Sequence, residues 1–448
     1  MPQDIHGLEI STASDAAASA FDHALDGYLK YRADAGARLG ALLAADGDFG
    51  LAHCLKGYFA MLSYKQANVP VAIEAVDAAR RLTTHATLRE RTHVAALDAW
   101  IAGDLDRAVG VWEQILAEHP HDVLAFRLAH FNNFWLGRPG AMRVSVERVM
   151  PKWSRALAAY GTILSCHCFA LEECDAYAAA EPSGRAAVEI DPGDVWGTHA
   201  VAHIMEMQGR HREGIAWLSE LERNWEGGNN LLHHLWWHRA LFHFEQREFD
   251  AVLDLYDRRF RNLASPLTLA QPDLYIDVQN AASMLFRLEL AGVDVGERWS
   301  EIADKAQTRI GDCLSAFTLP HWMMALAATG RDDAARRMLE GMRANADGVG
   351  TVREIVGKVA LPVCEAVLAH RRGQHAQALG LMRPVLDDMH QLGGSHAQRD
   401  VLVQLYLDCA VKADCVDDVR LMLTRVGGSE DDLRKRVGYG RAVAQLPH

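Results

Sequence analysis

Apolar residues recur at intervals of three and four along almost the whole chain, whereas alternating apolar and polar positions and hairpin dipeptides are nearly absent. Intervals of three and four place side chains on one face of a helix, while a strand requires a period of two. The stretch GDLDRAVGVWEQILAEHP, residues 103–120, shows the helical pattern most clearly. The pattern therefore predicts an all-α fold.

A short motif recurs between the helical segments, in which a glycine is followed five residues later by alanine or glycine. A turn between two helices favours glycine, and a small residue lets the second helix pack closely on the first. The motif therefore predicts helix-turn-helix units. Its four copies are Gly103 with Ala108, Gly209 with Gly214, Gly330 with Ala335, and Gly373 with Ala378.

The spacing of these units indicates a repeat. Two units carry a proline twelve residues after the small residue, at Pro120 and Pro192, where it ends the second helix. The spacing of 34 residues from Ala180 to Gly214 equals the tetratricopeptide period. We therefore expect a tetratricopeptide-like right-handed superhelix, an α-solenoid of irregular helix pairs whose first helices line the inner surface. The stretch SPLTLAQPD, residues 265–273, is predicted to be a loop.

The length of 448 residues exceeds the size at which a single compact core usually keeps growing. We predict three parts along the chain. These are an N-terminal helical segment at 1–85, helix pairs with a histidine-rich inner face at 86–260, and C-terminal helix pairs at 261–448.

The net charge and the hydropathy of the chain limit the classes of partner that the protein can have. A formal net charge of -13, from 59 acidic and 46 basic residues, repels phosphate backbones, so we expect no nucleic-acid partner. The chain lacks an apolar run long enough to span a bilayer, and its N-terminus lacks the positive charge of a signal peptide. The eight cysteines show no C-x-x-C spacing and are predicted to be buried thiols. These features predict a cytoplasmic protein without a membrane partner, and they leave homo-oligomers open.

The main candidate site lies on two predicted first helices. His199, His203 and Glu206 share one face of the first helix, and His234 and His238 share a face of the next. Such imidazoles with a carboxylate suit a divalent zinc, manganese or iron ion, although the H-E-x-x-H motif is absent. Without metal, the histidines are candidates for general acid-base catalysis or for a hydrogen-bonded structural ladder.

A second candidate site is the segment GGSHAQRD, residues 393–400, which opens a predicted helix. Ser395, His396, Gln398 and Arg399 are candidates to surround a carboxylate or phosphate, because a helix start favours anions. The alternative is an ordinary helix cap with a salt bridge.

Three further polar residues stand among apolar neighbours on predicted first helices: Asp277, His321 and Glu365. Buried acids and imidazoles require partners. Mutual pairing and a ligand pocket explain these three residues equally well.

Long blocks of the sequence resemble the tetratricopeptide repeat protein 38 family. They are EIDPGDVWGTHAVAHIMEMQGRHREGIAWL, LWWHRALFHFE, LAGVDVGERW, HWMMALAATGR and GGSHAQRD, and they run over nearly the whole chain. The resemblance implies an all-helical superhelix, found in bacterial and animal proteins, with a poorly defined biochemical role. Because the blocks contain the histidines above and the Ser395 segment, it also implies a shared pocket.

These observations favour a protein that binds a small polar molecule or a peptide end in a pocket lined by histidines and acids. One alternative is an amide or ester hydrolase that uses the same histidines as metal ligands or as acid-base catalysts. A second alternative is a scaffold for protein–protein interaction.

Overall fold

The computed structural model describes residues 1–446, which divide into two compact units. The first comprises residues 1–208, 216–235 and 350–352, and the second comprises residues 209–215, 236–349 and 353–448 as far as they are described. The predicted boundaries near residues 85 and 260 remain a prediction.

Helices follow one another with short connections throughout the described residues, and the only β-type pairings among them are two isolated bridges. The all-α class is therefore confirmed. The first fourteen helices are α1 (Asp15–Leu29), α2 (Ala35–Ala45), α3 (Gly50–Leu62), α4 (Val69–Leu82), α5 (Leu88–Ile101), α6 (Leu105–Glu118), α7 (Val123–Trp135), α8 (Pro139–Val149), α9 (Tyr160–Glu172), α10 (Tyr177–Ile190), α11 (Val195–Met207), α12 (His211–Leu221), α13 (Leu231–Glu245) and α14 (Phe249–Leu255).

The remaining helices continue the same succession, and π-helical turns at Tyr256–Phe260 and Val356–Ala360 extend α14 and join α20 to α21. They are α15 (Pro266–Ala270), α16 (Tyr275–Leu290), α17 (Arg298–Thr308), α18 (Thr318–Ala328), α19 (Asp332–Ala346), α20 (Thr351–Ile355), α21 (Leu361–Arg371), α22 (His375–Met382), α23 (His396–Lys412), α24 (Val416–Val426), α25 (Glu430–Lys435) and α26 (Gly440–Val443).

Local sequence explains where these helices begin and end. The Thr87 side chain accepts a hydrogen bond from the Glu90 amide while Glu90 bonds back to Thr87, which is a capping box for α5. The predicted prolines follow the ends of α6 and α10. The four predicted turn glycines, Gly103, Gly209, Gly330 and Gly373, all have positive φ and lie between the two helices of a pair.

Successive helices pack as pairs, as a tetratricopeptide-like array requires. In the first unit α3 packs on α4, α5 on α6, α7 on α8 and α9 on α10, and first helices such as α9 and α11 also contact each other. The chain is therefore a tetratricopeptide-like α-solenoid of helix pairs. The predicted loop at 265–273 is partly wrong, because Pro266 opens the short helix α15, where its fixed φ suits a first helical position.

The first helices of the second unit close on one another. Helix α18 packs on α16 and α21, and α23 packs on α21 and on α16, so four first helices form a ring. Inside it the Arg287 guanidinium donates to the Ala397 carbonyl at 2.9 Å and contacts Asp400 at 3.4 Å. This pairing satisfies a buried cation.

Among the described residues, none of the helices is both long and apolar enough to cross a lipid bilayer.

Candidate ligand site in the first unit

Three histidines converge in the interior of the first unit. His199 and His203 lie one turn apart on α11, and their Nε2 atoms are 2.9 Å apart. The ring centre of His234, from α13, is 4.9 Å from that of His199. One nitrogen of each ring lies within 4.8 Å of the others, and all three side chains are buried. The predicted proximity of the two helical pairs is thus present for these three residues.

His199 is uncharged at neutral pH. Burial lowers the pKa of His199 well below its ordinary value, and the neighbouring His203, His234 and Arg127 lower it further. In the short contact between His199 and His203, one ring nitrogen donates a hydrogen bond and the other accepts it. Neutral imidazoles are also the form that binds a metal ion.

A carboxylate stands on the far side of His203. Glu172, the last residue of α9, is fully buried, and its Oε2 atom lies 3.8 Å from His203 Nδ1. A carboxylate beside Nδ1 orients an imidazole ring and raises the basicity of Nε2. The sequence pointed instead to Glu206, which lies one turn beyond His203 and is half-buried.

Two aromatic rings form a wall of the site. The ring centre of Phe169, from α9, lies 5.5 Å from that of His199 and 5.3 Å from that of His203. The ring centre of Trp196, from α11, lies 4.7 Å from that of His199 and 4.8 Å from that of Phe169. These rings exclude water from the histidines, which strengthens every polar interaction there.

A buried arginine lies on the other side of Trp196. The Arg127 guanidinium, from α7, is 4.6 Å from the Trp196 ring centre and 5.4 Å from that of Tyr31, to whose hydroxyl it donates a hydrogen bond. Arg127 is 2% exposed, and its Nη1 atom has no hydrogen-bond partner in the described part of the chain. None of the described carboxylates forms an ion pair with it.

His130 lies on the same face of α7, three residues after Arg127. It is fully buried, and within residues 1–446 neither ring nitrogen has a hydrogen-bond partner. Burial and then the charge of Arg127 lower the pKa of His130 well below its ordinary value. A neutral imidazole and a guanidinium therefore occupy one buried face, beside Phe169, whose ring centre is 6.4 Å from that of His130.

The sequence pattern did not lead us to Arg127, His130 or Glu172 as candidate site residues. A signal for the first two was present, since VLAFRLAHFNNFW places a cation and an imidazole three residues apart on an otherwise apolar first helix. Glu172 gave no comparable signal, because its neighbour Glu173 is also acidic and only tertiary packing distinguishes the two.

The other predicted residues lie in the second unit. His238 is one turn beyond His234 on α13 and is fully buried, as is Asp277 on α16. His321 is buried on α18, where its Nδ1–H donates to the Phe317 carbonyl at 2.8 Å, and burial lowers its pKa to about 4. Glu365 is only half-buried and forms an ion pair with Arg343.

The GGSHAQRD segment forms a helix cap. The buried Ser395 hydroxyl accepts a hydrogen bond from the Gln398 amide at 3.2 Å, and the Ser395 amide donates to Gln398 Oε1 at 3.0 Å. Gln398 also donates to Gln279 at 3.4 Å, while Arg399 donates to the Gly394 carbonyl. Half-buried His396 opens α23. These contacts match the alternative of a cap more closely than a site for an anion.

The fold and this cluster together define a tetratricopeptide-like helix-pair protein with a buried polar site. No family model matches the chain. Solved structures similar to it include the human IFIT1 dimer with m7Gppp-AAAA, at a TM-score of 0.44 and 13% identity, covering 98% of this chain and 96% of that chain. A monomeric IFIT1 mutant with Gppp-AAAA gives a TM-score of 0.40 at 13% identity over the same shares. Similarity at this level carries no argument about what this chain binds.

One expectation about partners is nevertheless corrected. We excluded nucleic acid from the net charge, and we withdraw that exclusion, because a similar structure was solved with m7Gppp-AAAA. The physical reason is that net charge averages over the whole surface, whereas binding depends on the charges at one site.

Proposed function

We propose that this protein binds a small polar molecule, or the end of a peptide, through a carboxylate or similar anionic group held by Arg127. The neighbouring His199, His203 and His234 then contact the polar part of the same ligand. The observation that carries the proposal is the burial of the Arg127 guanidinium without an ionic partner among the described residues.

The buried charge of Arg127 has an energetic cost. Removing a cation from water costs several kcal/mol, and proteins normally offset this with a paired anion and further hydrogen bonds. Arg127 contacts three aromatic rings, those of Tyr31, Phe131 and Trp196, and donates to the Tyr31 hydroxyl, and these contacts offset only part of that cost. An anionic ligand supplies the missing charge, and a planar guanidinium fits a carboxylate through two parallel hydrogen bonds.

His130 adds specificity to the same position. Its two ring nitrogens provide one donor and one acceptor when the ring is neutral. Since it projects from α7 beside Arg127, a ligand that reaches the guanidinium also reaches an imidazole. This combination favours a carboxylate that carries a second polar group over a simple anion.

The burial of the cluster argues against an open peptide groove. Scaffolds bind extended peptides along exposed first helices, whereas His203 is fully buried and Arg127 and His199 are 2% exposed. A buried site of this kind accommodates a small molecule or a chain end.

The histidines also support a second function, metal-assisted hydrolysis of an amide or ester. Two imidazole nitrogens on one tetrahedral zinc ion lie about 3.3 Å apart, close to the observed 2.9 Å between the Nε2 atoms of His199 and His203. His234 supplies a third nitrogen, and Glu172 stands behind His203 as an orienting carboxylate. Three protein ligands leave a position for water, as hydrolytic zinc sites require.

The anion site is tested with Arg127→Met, which keeps the volume and removes the charge. We expect its melting temperature to equal or exceed that of the wild type, because replacing an uncompensated buried charge with an apolar group is often neutral or stabilising. In thermal-shift measurements, succinate, citrate and triglycine should raise the melting temperature of the wild type and not that of Arg127→Met, whereas inorganic phosphate, a simple anion, should raise it less. Triglycine amide, which lacks the carboxylate, should raise the melting temperature of neither protein.

The matched control is Arg185→Met, because Arg185 also lies over a tryptophan ring, 5.0 Å from the Trp217 centre, but on the surface. It should respond to the carboxylates as the wild type does. If Arg127→Met responds to them equally well, the anion proposal fails.

The hydrolase is tested by elemental analysis of untagged protein beside the double variant His199→Ala/His203→Ala. Near-stoichiometric zinc, manganese or iron that the double variant loses supports metal-assisted hydrolysis. A metal content that is the same in both proteins contradicts it and leaves the binding function in place.

Two further points remain proposals. The length and order of the sequence blocks indicate membership of the tetratricopeptide repeat protein 38 family, and the cytoplasmic location remains a prediction. Fractionation of cells that express the chain with a C-terminal tag tests the location.

A further inference from the structure

The second unit contains a separate group of metal-ligating side chains where three helices meet. His370 lies next to the end of α21, His375 opens α22, and Cys409 lies near the end of α23. The short turn between the two histidines bends the chain back, and α22 packs on both α21 and α23. Residues that are distant in sequence therefore meet at one point.

The donor atoms are close enough to share one ion. One nitrogen of each imidazole and the Cys409 sulfur all lie within 4.8 Å of one another, and the two ring centres are 5.4 Å apart. Ligands of a tetrahedral zinc ion lie about 3.3 to 3.6 Å apart. Small side-chain rotations, without backbone movement, close this difference.

A carboxylate fixes the orientation of the first histidine. His370 Nε2–H donates to Asp408 Oδ2 at 2.7 Å, and the Lys412 ammonium binds the same oxygen at 2.7 Å. This bond leaves the lone pair of a neutral imidazole on Nδ1. His370 is 7% exposed, and its Nδ1 has no hydrogen-bond partner within residues 1–446.

The other two ligands complete the arrangement. Nδ1 of His375 is also buried without a hydrogen-bond partner in the described chain, although the residue as a whole is half-buried. Cys409 is a fully buried free thiol. Two buried nitrogens without hydrogen-bond partners, beside a buried thiol, leave polar atoms unsatisfied unless something binds them.

We propose that His370, His375 and Cys409 bind one Zn²⁺ ion, with the fourth position open to water or a ligand. Two imidazoles and one thiolate form a donor set typical of zinc, and four residues separate the histidines, within the spacing common in zinc sites. Asp408 acts as a positioning residue, in the carboxylate–histidine–metal arrangement. The half-buried His375 gives the fourth position a route to solvent.

This site does not depend on the proposed function. Its residues all belong to the second unit, while Arg127, His130 and the three clustered histidines belong to the first. Its sulfur ligand also distinguishes it spectroscopically from an all-histidine site, because only a thiolate gives a sulfur-to-metal charge-transfer band.

Cobalt substitution provides the direct test. Wild-type protein loaded with Co²⁺ should show a thiolate-to-cobalt charge-transfer band that Cys409→Ser lacks and that the control Cys415→Ser retains, since Cys415 lies outside the cluster. Titration with Zn²⁺ should abolish the band in the wild type. The double variant His199→Ala/His203→Ala should retain it, whatever the outcome for the first unit.

A second variant tests the site independently of whether Cys409→Ser folds. His375→Ala changes a half-buried residue at a helix start, so it should keep the wild-type far-ultraviolet circular dichroism. Competition with a chromophoric chelator should give zinc binding at least about a hundredfold weaker than wild type, since an inner ligand contributes more than the roughly 10–100-fold of an outer one. His390→Ala, an exposed histidine in the same unit, is the control.

Asp408→Asn tests the positioning role. It should weaken zinc binding about 10–100-fold and keep the charge-transfer band at saturating cobalt, whereas a merely structural residue would leave zinc affinity unchanged. A wild type without the charge-transfer band, or with zinc affinity equal to that of His375→Ala, would overturn the proposal.

Discussion

At the residue scale, this protein buries charges in two different ways. In the network around Asp122, the carboxylate binds the Arg89 guanidinium at 2.7 Å and His93 Nε2 at 3.1 Å, and it caps α7 by accepting from the Ala125 amide at 2.9 Å. At Arg127, by contrast, none of the described carboxylates forms an ion pair with the guanidinium. The network around Asp122 is complete within the protein, whereas the incomplete pairing of Arg127 is the reason why we propose an anionic ligand there.

The network around Asp122 makes stability depend on pH. Burial alone would raise the pKa of Asp122, but His93 and Arg89 lower it well below its ordinary value. A carboxyl group with a lowered folded-state pKa stabilises the fold fully above its unfolded-state pKa of about 3.9 and loses this contribution as pH falls below it.

We therefore expect Asp122→Asn to lower the free energy of unfolding by about 3–5 kcal/mol at pH 7, because it leaves Arg89 buried without its anion. Asparagine still caps a helix, so loss of the cap does not explain the effect. Urea unfolding at several pH values should show this difference shrink below about pH 4. Asp104→Asn, at the less buried cap of α6, should change stability little at any pH; equal effects of the two substitutions would contradict the prediction.

Among the helices, the small residue in a second helix allows close packing against the next helix, and this effect can be measured. A Cβ atom added to Gly214 of α12 would lie 2.3 Å from the Phe242 ring of α13, closer than real Cβ contacts occur. The motif of Gly209 and Gly214 therefore indicates that α12 and α13 lie close together at Gly214. An aromatic ring in a packed core cannot move aside without opening space elsewhere.

Gly214→Ala should consequently destabilise the protein by about 1–3 kcal/mol, as overpacking does. The control is Gly110→Ala on α6, where a Cβ would meet nothing within 4 Å. That exposed helical position should gain up to about 1 kcal/mol, since alanine is the better helix former. Denaturant unfolding of both variants checks the prediction, which fails if the two changes have the same sign.

At the scale of the whole molecule, polar side chains are distributed differently in the two units. In the first unit, the site residues all lie on the first helices α7, α9, α11 and α13, as the expectation for a solenoid required. In the second unit, four first helices close into a ring whose interior pairs Arg287 with Asp400 and Gln279 with Gln398. For this reason the ligand site that we propose is the one in the first unit.

The all-α class, the helix-pair repeat and the positions of the turns follow from the amino-acid sequence alone. Hydrophobic periodicity, turn glycines and prolines determine local structure over a few residues, so a short stretch of sequence is enough to predict their effect. The sequence also determined that His199 and His203 share a helix face, which follows from the helical period alone.

Which groups meet depends on the tertiary structure. Glu172 lies beside His203, Arg127 is buried without an ion pair to any described carboxylate, and Cys409 lies with His370 and His375; all three results depend on packing between separate helices. Helical sequence fixes the direction of a side chain relative to its own axis. The angle and distance between axes come from the fit of many side chains at once, and no single stretch of sequence contains them.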